Sequence, residues 1–291
     1  MNKLTLPTFF NDQTALQALA NNYLLKSYPA LLAHLEAIQA GYAQYVAVGG
    51  NARAVLPVAL PEPVEAFLRG HYASPPKAID YIDKIRLDGE VKTCPMCGSM
   101  SGGTLDHVLP KTDFAAFAVF GLNLVPACKC NSLRSTTLTG PGAGQRILHP
   151  YFDDILADRL LAARFDDLGP VPRVSIRVLL DPAHSAFPGV QFHVANVVAR
   201  THVRAWLRDQ WIKLVRKPSL MIRDLRTNPA SREALVAILE EELATQDEAY
   251  ESKNSWHSMF TAGLLDTDVT DWLHLRLSQP GRADDAELVA V

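Results

Sequence analysis

The four cysteines of this 291-residue chain all fall within 37 consecutive residues, and this clustering limits what the middle of the chain can fold into. Cys94 and Cys97 form a C-x-x-C-G turn with Gly98, and Cys128 and Cys130 form a second close pair. Two thiolates two residues apart can bind one ion, and the glycine permits the tight backbone of such a turn. We therefore predict a structural Zn²⁺ bound by four thiolates, which staples together a loop-rich segment with little core of its own.

The second cysteine pair is shorter than the first, because only Lys129 separates Cys128 from Cys130. The spacing leaves open whether all four sulfur atoms bind the ion. The alternative is that the cysteines are buried free thiols, a common fate of this residue type. We favour the metal, since a C-x-x-C-G turn and a second close pair, with no other cysteine in the chain, are hard to obtain by chance.

Two short segments near the cysteine pairs carry residues suited to phosphodiester chemistry. The first runs from Thr104 to Lys111 and reads TLDHVLPK, and the second runs from Leu122 to Asn131 and reads LNLVPACKCN. With the cysteine frame, they resemble the HNH (ββα-metal) endonuclease motif over 38 residues, from Cys94 to Asn131. That family has an Asp-His pair on a strand, an Asn-Leu before the second knuckle, and a His or Asn where a helix begins. The resemblance implies a ββα-metal module that cleaves DNA, with RNA not excluded.

The resemblance also implies a role for each side chain. His107 is expected to act as the general base, and Asp106 and Asn131 to hold one Mg²⁺ or Mn²⁺ ion through oxygen ligands. Asn123 is expected to fix the loop and orient His107. Lys111 either contacts a phosphate or is a plain surface lysine.

Elementary chemistry gives independent reasons for these residue types. Phosphodiester hydrolysis needs a base that deprotonates water and a cation that neutralises the phosphate and the departing 3′ oxygen. A free imidazole has a pKa near ~6.5, so His107 can accept the proton at cellular pH. Adjacent strand residues point to opposite faces, so Asp106 and His107 can share a site only at a bend or bulge, or at the end of the strand.

Each of these residues has an ordinary structural explanation on its own, and only the joint pattern indicates a nuclease. The expected function is a one-metal HNH endonuclease. Its position between helical regions is similar to that of nuclease effectors of bacterial anti-phage defence, which implies regulation by a protein partner such as an ATPase. The alternative is a non-catalytic zinc-ribbon protein that binds nucleic acid or serves as a scaffold.

The segment from Asn196 to Arg226 offers a second place for nucleic acid, since it carries a local charge of +6. Arg200, Arg204 and Arg208 are four residues apart and are expected to line one face of a helix, where they could contact phosphates. The alternative is a solvated face that pairs with the acidic helix predicted from Ser231 to Glu251. Three tryptophans are better interpreted as core residues than as stacking platforms, namely Trp206, Trp211 and Trp256.

The remaining pattern predicts an α+β fold that is mainly helical, with three regions. Residues 1–90 form an N-terminal helical region, 91–150 the zinc-stapled ββα-metal module, and 151–291 a mostly helical region with a small β-hairpin. In the N-terminal region we predict a helix at Tyr28–Val46, a second that ends near Gly70 and a third that begins at Ser74. In the C-terminal region we predict helices at Asp153–Arg164, Asn196–Val215, Ser231–Glu251 and Trp256–Leu265. The predicted strands are Val174–Leu180 and Val190–Val194.

Composition sets outer limits on function. The chain is 48% hydrophobic, which is ample for a core, and its net charge of −3 gives no global attraction to nucleic acid. No apolar run matches a signal peptide or the ~20 residues that cross a bilayer, so we expect a soluble cytoplasmic protein with no membrane partner.

Overall fold

The computed structural model describes residues 1–88, 91–100 and 102–289, and residues 89, 90, 101, 290 and 291 of the predicted regions lie outside it. The described chain is mainly helical with two small antiparallel sheets, which confirms the α+β, mainly helical class. Within these residues, none of the helices combines the length and the apolar character needed to cross a membrane. In chain order the elements are α1 (Asp12–Ala20), α2 (Leu35–Ala47), α3 (Glu62–Ala73), α4 (Tyr81–Asp88), β1 (Thr104–His107), β2 (Leu124–Ala127), α5 (Cys130–Arg134), β3 (Leu161–Asp166), β4 (Arg173–Val178), α6 (Phe187–Asn196), α7 (Val203–Arg216), α8 (Arg232–Ala249), α9 (Trp256–Leu264) and α10 (Thr267–Leu277).

The helices α1 to α4 enclose a hydrophobic core in the N-terminal third of the chain. The sequence pattern does not predict α1, which Asn11 begins by accepting a hydrogen bond from the Thr14 backbone N–H at 2.9 Å. The next helix, α2, begins at Leu35 rather than at the predicted Tyr28, since turns and a short 3₁₀ helix precede it. The helix predicted to end near Gly70 is confirmed as α3, which ends at Ala73. The helix predicted to begin at Ser74 begins only at Tyr81, as α4, because a short 3₁₀ helix at Lys77–Ile79 precedes it.

The centre of the chain holds the antiparallel pair β1 and β2, followed by the short helix α5. Thr104 pairs with Ala127 and His107 with Leu124, in a continuous register. Leu105 of β1 belongs to the same buried cluster as the N-terminal helices, so those helices pack directly against the strand pair. Buried apolar contacts with the N-terminal helices therefore support the strand pair β1–β2.

Two predictions in the C-terminal half are wrong. The residues of the predicted helix Asp153–Arg164 form a 3₁₀ helix and then strand β3, which pairs with β4. β3 is covered by α9 so closely that a side chain on Gly263 would lie 2.5 Å from the Ala163 carbonyl oxygen. The residues of the predicted strand Val190–Val194 lie in α6, where Pro188 occupies the first turn, a position that proline favours in helices.

The other C-terminal predictions are closer to the structure. β4 covers most of the predicted strand Val174–Leu180, and Ser231 caps α8 by accepting a hydrogen bond from the Ala234 N–H at 3.2 Å. The helix predicted at Trp256 is confirmed as α9, and α10 is an addition that the sequence pattern does not predict. The predicted helix Asn196–Val215 is wrong as a continuous element, because an extended backbone at Thr201 separates a 3₁₀ helix from α7.

Candidate functional site

The four cysteines lie together where the turn at residues 94–98 meets the start of α5. Their Sγ atoms all lie within 4.8 Å of one another, with 3.7 Å between Cys94 and Cys130 and 3.4 Å between Cys97 and Cys128. Around a tetrahedral Zn²⁺ with Zn–S bonds of about 2.3 Å, sulfur atoms lie about 3.8 Å apart. The four thiols can therefore hold a metal ion such as zinc, and the short Cys128–Cys130 spacing does not remove either sulfur from the cluster.

Backbone N–H groups point at the sulfur atoms of this cluster. The Cys128 N–H donates to the Cys94 Sγ, and the Cys130 N–H donates to the Cys128 Sγ, both at 3.3 Å. Hydrogen bonds from the thiols of Cys130, Cys94 and Cys97 lower the pKa of Cys128. Both effects favour the thiolate, which is the form that binds a metal.

Gly98 ties the first cysteine pair to the C-terminal region. Its backbone φ is +80°, and a Cβ at this position would lie 2.2 Å from the Asn254 carbonyl oxygen. Next to it, the Trp256 backbone N–H donates to the Gly98 carbonyl at 2.9 Å, and the Trp256 Nε1–H donates to the Cys97 carbonyl at 2.9 Å. Two features therefore require glycine at position 98: the positive φ of its backbone and the close packing of the Asn254 carbonyl.

Gly98→Ala is expected to lower the free energy of unfolding by at least about 2 kcal/mol, because the new methyl group meets backbone atoms in a conformation that alanine disfavours. Urea denaturation measures the effect. Gly70→Ala is the matched control, since a Cβ at Gly70 meets no atom within 4 Å in helix α3. Equal stability of the two variants would contradict this packing.

Asp106, His107 and Asn131 line one open cavity of about 370 Å³, together with Lys111. β1 ends at His107 and α5 begins beside it, so the two elements bring three predicted side chains to one place. β1 pairs in register without a bulge, and the cavity surrounds the end of the strand. There the Asp106 carboxylate turns back and accepts the His107 backbone N–H at 2.8 Å. Of the arrangements expected from the sequence, the structure adopts the one at the strand end.

The ring of His107 is held in one tautomer. Only 5% of the residue is exposed, and its Nε2 lies 2.9 Å from the Ala118 carbonyl oxygen. A carbonyl oxygen can only accept, so Nε2 carries the proton and Nδ1 keeps its lone pair in the neutral ring. Burial lowers the pKa of His107 to about 4, so the imidazole is neutral at pH 7.

Asn123 closes the loop that carries Ala118. Its side-chain oxygen accepts the Leu109 N–H at 2.8 Å, and its amide donates to the carbonyl oxygens of Leu109 and Phe117, both at 3.1 Å. Ala118, whose carbonyl oxygen accepts from the His107 ring, directly follows Phe117 in this loop. Asn123 thus ties together the two ends of the loop that carries Ala118.

Arg134 is a buried cation that sequence reasoning does not find. Its Nε donates to the Asn131 Oδ1 at 3.1 Å, and its Nη2 donates to the carbonyl oxygens of His107 and Val108 at 3.0 and 2.6 Å. The Asn131 Nδ2 in turn donates to the His107 carbonyl oxygen at 3.5 Å. Burial raises the pKa of Asp106, and the Arg134 charge opposes that rise. No local pattern reveals this role, since arginine is ordinarily a surface residue.

Tyr72 of α3 is a second unpredicted member of the site. Its ring lies 4.3 Å from the His107 ring between centroids, and its hydroxyl donates to the Leu105 carbonyl at 2.5 Å. The Lys111 ammonium lies 4.3 Å from the centre of the same ring. Lys111 is therefore held beside the cavity by a cation–π contact.

The stability of the protein is expected to fall by at least about 3 kcal/mol between pH 7 and pH 5. Burial lowers the pKa of His107 to about 4, of His149 to about 3 and of His193 to about 4. Unfolded histidine titrates near ~6.5, so below that pH the unfolded chain binds more protons than the folded chain and is favoured. Urea denaturation at each pH, with metal content measured alongside, tests this.

His149→Gln should flatten the pH dependence without changing the metal content. His149 is fully buried, and its Nε2 lies 2.8 Å from the Tyr45 hydroxyl. Unchanged stability of the wild-type protein from pH 7 to pH 5 would contradict the lowered pKa values.

The basic residues of the C-terminal region do not form the predicted stripe. Arg200 lies in a 3₁₀ helix, and only Arg204 and Arg208 lie on α7, so the three do not share one helix face. Among the described residues, none of the three is in an ion pair, so the pairing with the acidic helix α8 is not observed either. Instead, Arg200 donates to the Leu133 carbonyl of α5 at 3.3 Å.

The three tryptophans differ in their surroundings. Trp211 and Trp256 are buried, as predicted. Trp206 is only half-buried, since one side packs on the core and the other lines a second cavity beside the cysteine cluster.

Comparisons with known proteins do not show a family. No protein-family model and no solved structure matches the chain. Over 76 residues it is 36% identical to Protein ea31 of Escherichia phage lambda, a match that covers 25% of this chain. The matched segment spans only 25% of the length of that protein, so the similarity concerns a part of each chain.

Proposed function

We propose that this protein is a metal-dependent endonuclease of the HNH type that hydrolyses phosphodiester bonds in DNA. The observation that carries the proposal is the single cavity lined by a carboxylate, an imidazole and a carboxamide, from Asp106, His107 and Asn131. These are the three side chains that the motif resemblance assigns to the reaction. A strand pair followed by a short helix presents them, which is consistent with a ββα-metal arrangement.

His107 would accept the proton of the attacking water at Nδ1, because the Ala118 carbonyl occupies Nε2–H. Water oxygen would then form the new bond to phosphorus, and the bond from phosphorus to the 3′ oxygen would break. The oxygen atoms of Asp106 and Asn131 would hold Mg²⁺ or Mn²⁺, which polarises the phosphate and stabilises the departing oxygen. An amide oxygen has two lone pairs, so Asn131 can accept from Arg134 and still offer one to the ion.

Cations beside the cavity support a polyanionic substrate. Lys111 lines the cavity, and its contact with the Tyr72 ring keeps the ammonium there. A lysine at this position can bind a phosphate next to the one that is cleaved. Regulation by a protein partner such as an ATPase rests on the motif analogy alone.

Cleavage of supercoiled plasmid DNA tests the proposal. We expect nicking or linearisation with Mg²⁺ or Mn²⁺ and none in EDTA, and we expect Asp106→Asn to lower the rate by at least about 100-fold, because the ion loses its charged ligand. Asp113→Asn is the matched control, since Asp113 is exposed in the loop that follows β1. Wild-type activity in Asp106→Asn would remove the catalytic assignment. Binding without cleavage in the wild-type protein would favour the non-catalytic zinc-ribbon alternative.

A further inference from the structure

A second cavity, of about 570 Å³, shares the helix α5 with the candidate catalytic cavity. Cys130 and Leu133 of α5 line this second cavity, whereas Asn131 and Arg134 line the first. The two cavities therefore lie on different sides of one short helix. We name the second one the Trp206 cavity. Its aromatic and large apolar walls are formed by Met100, Leu133, His202, Trp206 and Trp256.

Two large apolar side chains on the walls of the Trp206 cavity are open to solvent. Met100 is 37% exposed and Leu133 is 48% exposed. The Trp206 ring is fixed from behind, because it lies 5.8 Å from the Trp256 ring and 4.8 Å from the His257 ring between centroids. An aromatic wall of this kind suits the flat face of a ligand such as a nucleobase.

Two cations without carboxylate partners lie at the cavity. Lys129 is exposed and lines the cavity, and Arg200 donates to the carbonyl of the lining residue Leu133. Among the described residues, neither of these two forms an ion pair. An apolar side chain of a protein would match the walls but not these charges, whereas a nucleotide matches both.

We propose that the Trp206 cavity binds an unpaired nucleobase of the substrate, stacked on Trp206, on the same strand as the phosphate that is cleaved. The inference rests on the proposed nuclease function for its kind of substrate. A base within a duplex is stacked on both faces and cannot enter, so DNA with a single-stranded segment is the preferred substrate.

Oligonucleotides with a single abasic position test this placement. Binding of an oligo(dT) of about 12 nucleotides is measured by fluorescence anisotropy in EDTA, with the abasic position moved along the strand. In the wild-type protein, one or two positions should weaken binding by about 5- to 100-fold. Trp206→Ala should bind the intact strand about 5- to 100-fold more weakly than the wild-type protein does. The abasic position should then have no further effect, because the ring on which the base stacks is already absent.

Two further variants separate stacking from folding. Trp206→Phe keeps an aromatic ring and should restore the position-dependent loss, whereas Lys129→Ala should weaken binding at every position and reduce its salt dependence. Leu275→Ala is the control, since Leu275 is 63% exposed on α10 and does not line the cavity. Equal abasic effects in the wild-type protein and Trp206→Ala would overturn the inference.

Binding at the Trp206 cavity and cleavage of DNA can be tested independently of each other. Trp206-dependent binding without cleavage in Mg²⁺ would support this cavity and contradict the nuclease. Cleavage that does not depend on Trp206 would support the nuclease and contradict this cavity. Absence of any single-strand binding would also overturn the inference, and it would leave an apolar protein side chain as the occupant.

Discussion

His107→Ala is expected to lower the rate of metal-dependent DNA cleavage by about 1,000-fold, within the range that general bases contribute. The buried ring is neutral at pH 7, and in the proposed mechanism its Nδ1 lone pair accepts the proton of the attacking water. Single-turnover cleavage of plasmid DNA measures the loss. DNA binding in EDTA should change little, because the substitution removes a proton acceptor and not a phosphate contact.

His184→Ala is the matched control for this prediction, since His184 is exposed on the surface of the C-terminal region. Both variants should have wild-type metal content and the same circular dichroism spectrum. Cleavage by His107→Ala at the wild-type rate would show that another group accepts the proton, or that the cavity is not the active site.

Cys97→Ser is expected to abolish metal binding at the cysteine cluster and to unfold the central segment. Structural zinc contributes about 10 kcal/mol or more in small sites, which is comparable with the whole stability of a domain. The thiol cluster joins the turn at residues 94–98 to the start of α5, so loss of the ion separates these two parts of the segment. Elemental analysis should find one Zn²⁺ per wild-type chain and less in the variant.

Limited proteolysis locates the unfolding, since cleavage should appear first within residues 91–134. Lys129→Ala changes an exposed residue between two ligands, so it should keep both the metal and the resistance to protease. A wild-type protein without any metal, or Cys97→Ser with wild-type stability, would contradict the structural zinc site.

The cysteine cluster could be predicted from sequence because its members are close in the chain and follow a known ligand spacing. The convergence of Asp106, His107 and Asn131 on one cavity could be predicted only through the motif, and their catalytic roles stay predictions. Arg134 and Tyr72 could not be found in this way. Arg134 acts through backbone carbonyls, and Tyr72 reaches the site from a helix more than thirty residues away in the chain.

The errors in the fold share a cause. The residues of β3 are apolar enough for either a helix or a strand, and the pairing with β4 and the cover of α9 decide between them. The β-branched residues Val190 and Val194 favour a strand locally, but they are four apart and share one buried face of α6. Burial against distant elements thus overrides local preference, and a single sequence does not show which distant elements pack.

The location of a bound Mn²⁺ ion tests the central claim most directly. Anomalous diffraction from crystals soaked with Mn²⁺ should show one peak in the cavity between Asp106 and Asn131, within about 2.5 Å of a carboxylate oxygen. The same soak of Asp106→Asn should show no peak there. A wild-type protein that cleaves DNA with Mn²⁺ bound elsewhere, and with this cavity empty, would contradict the account.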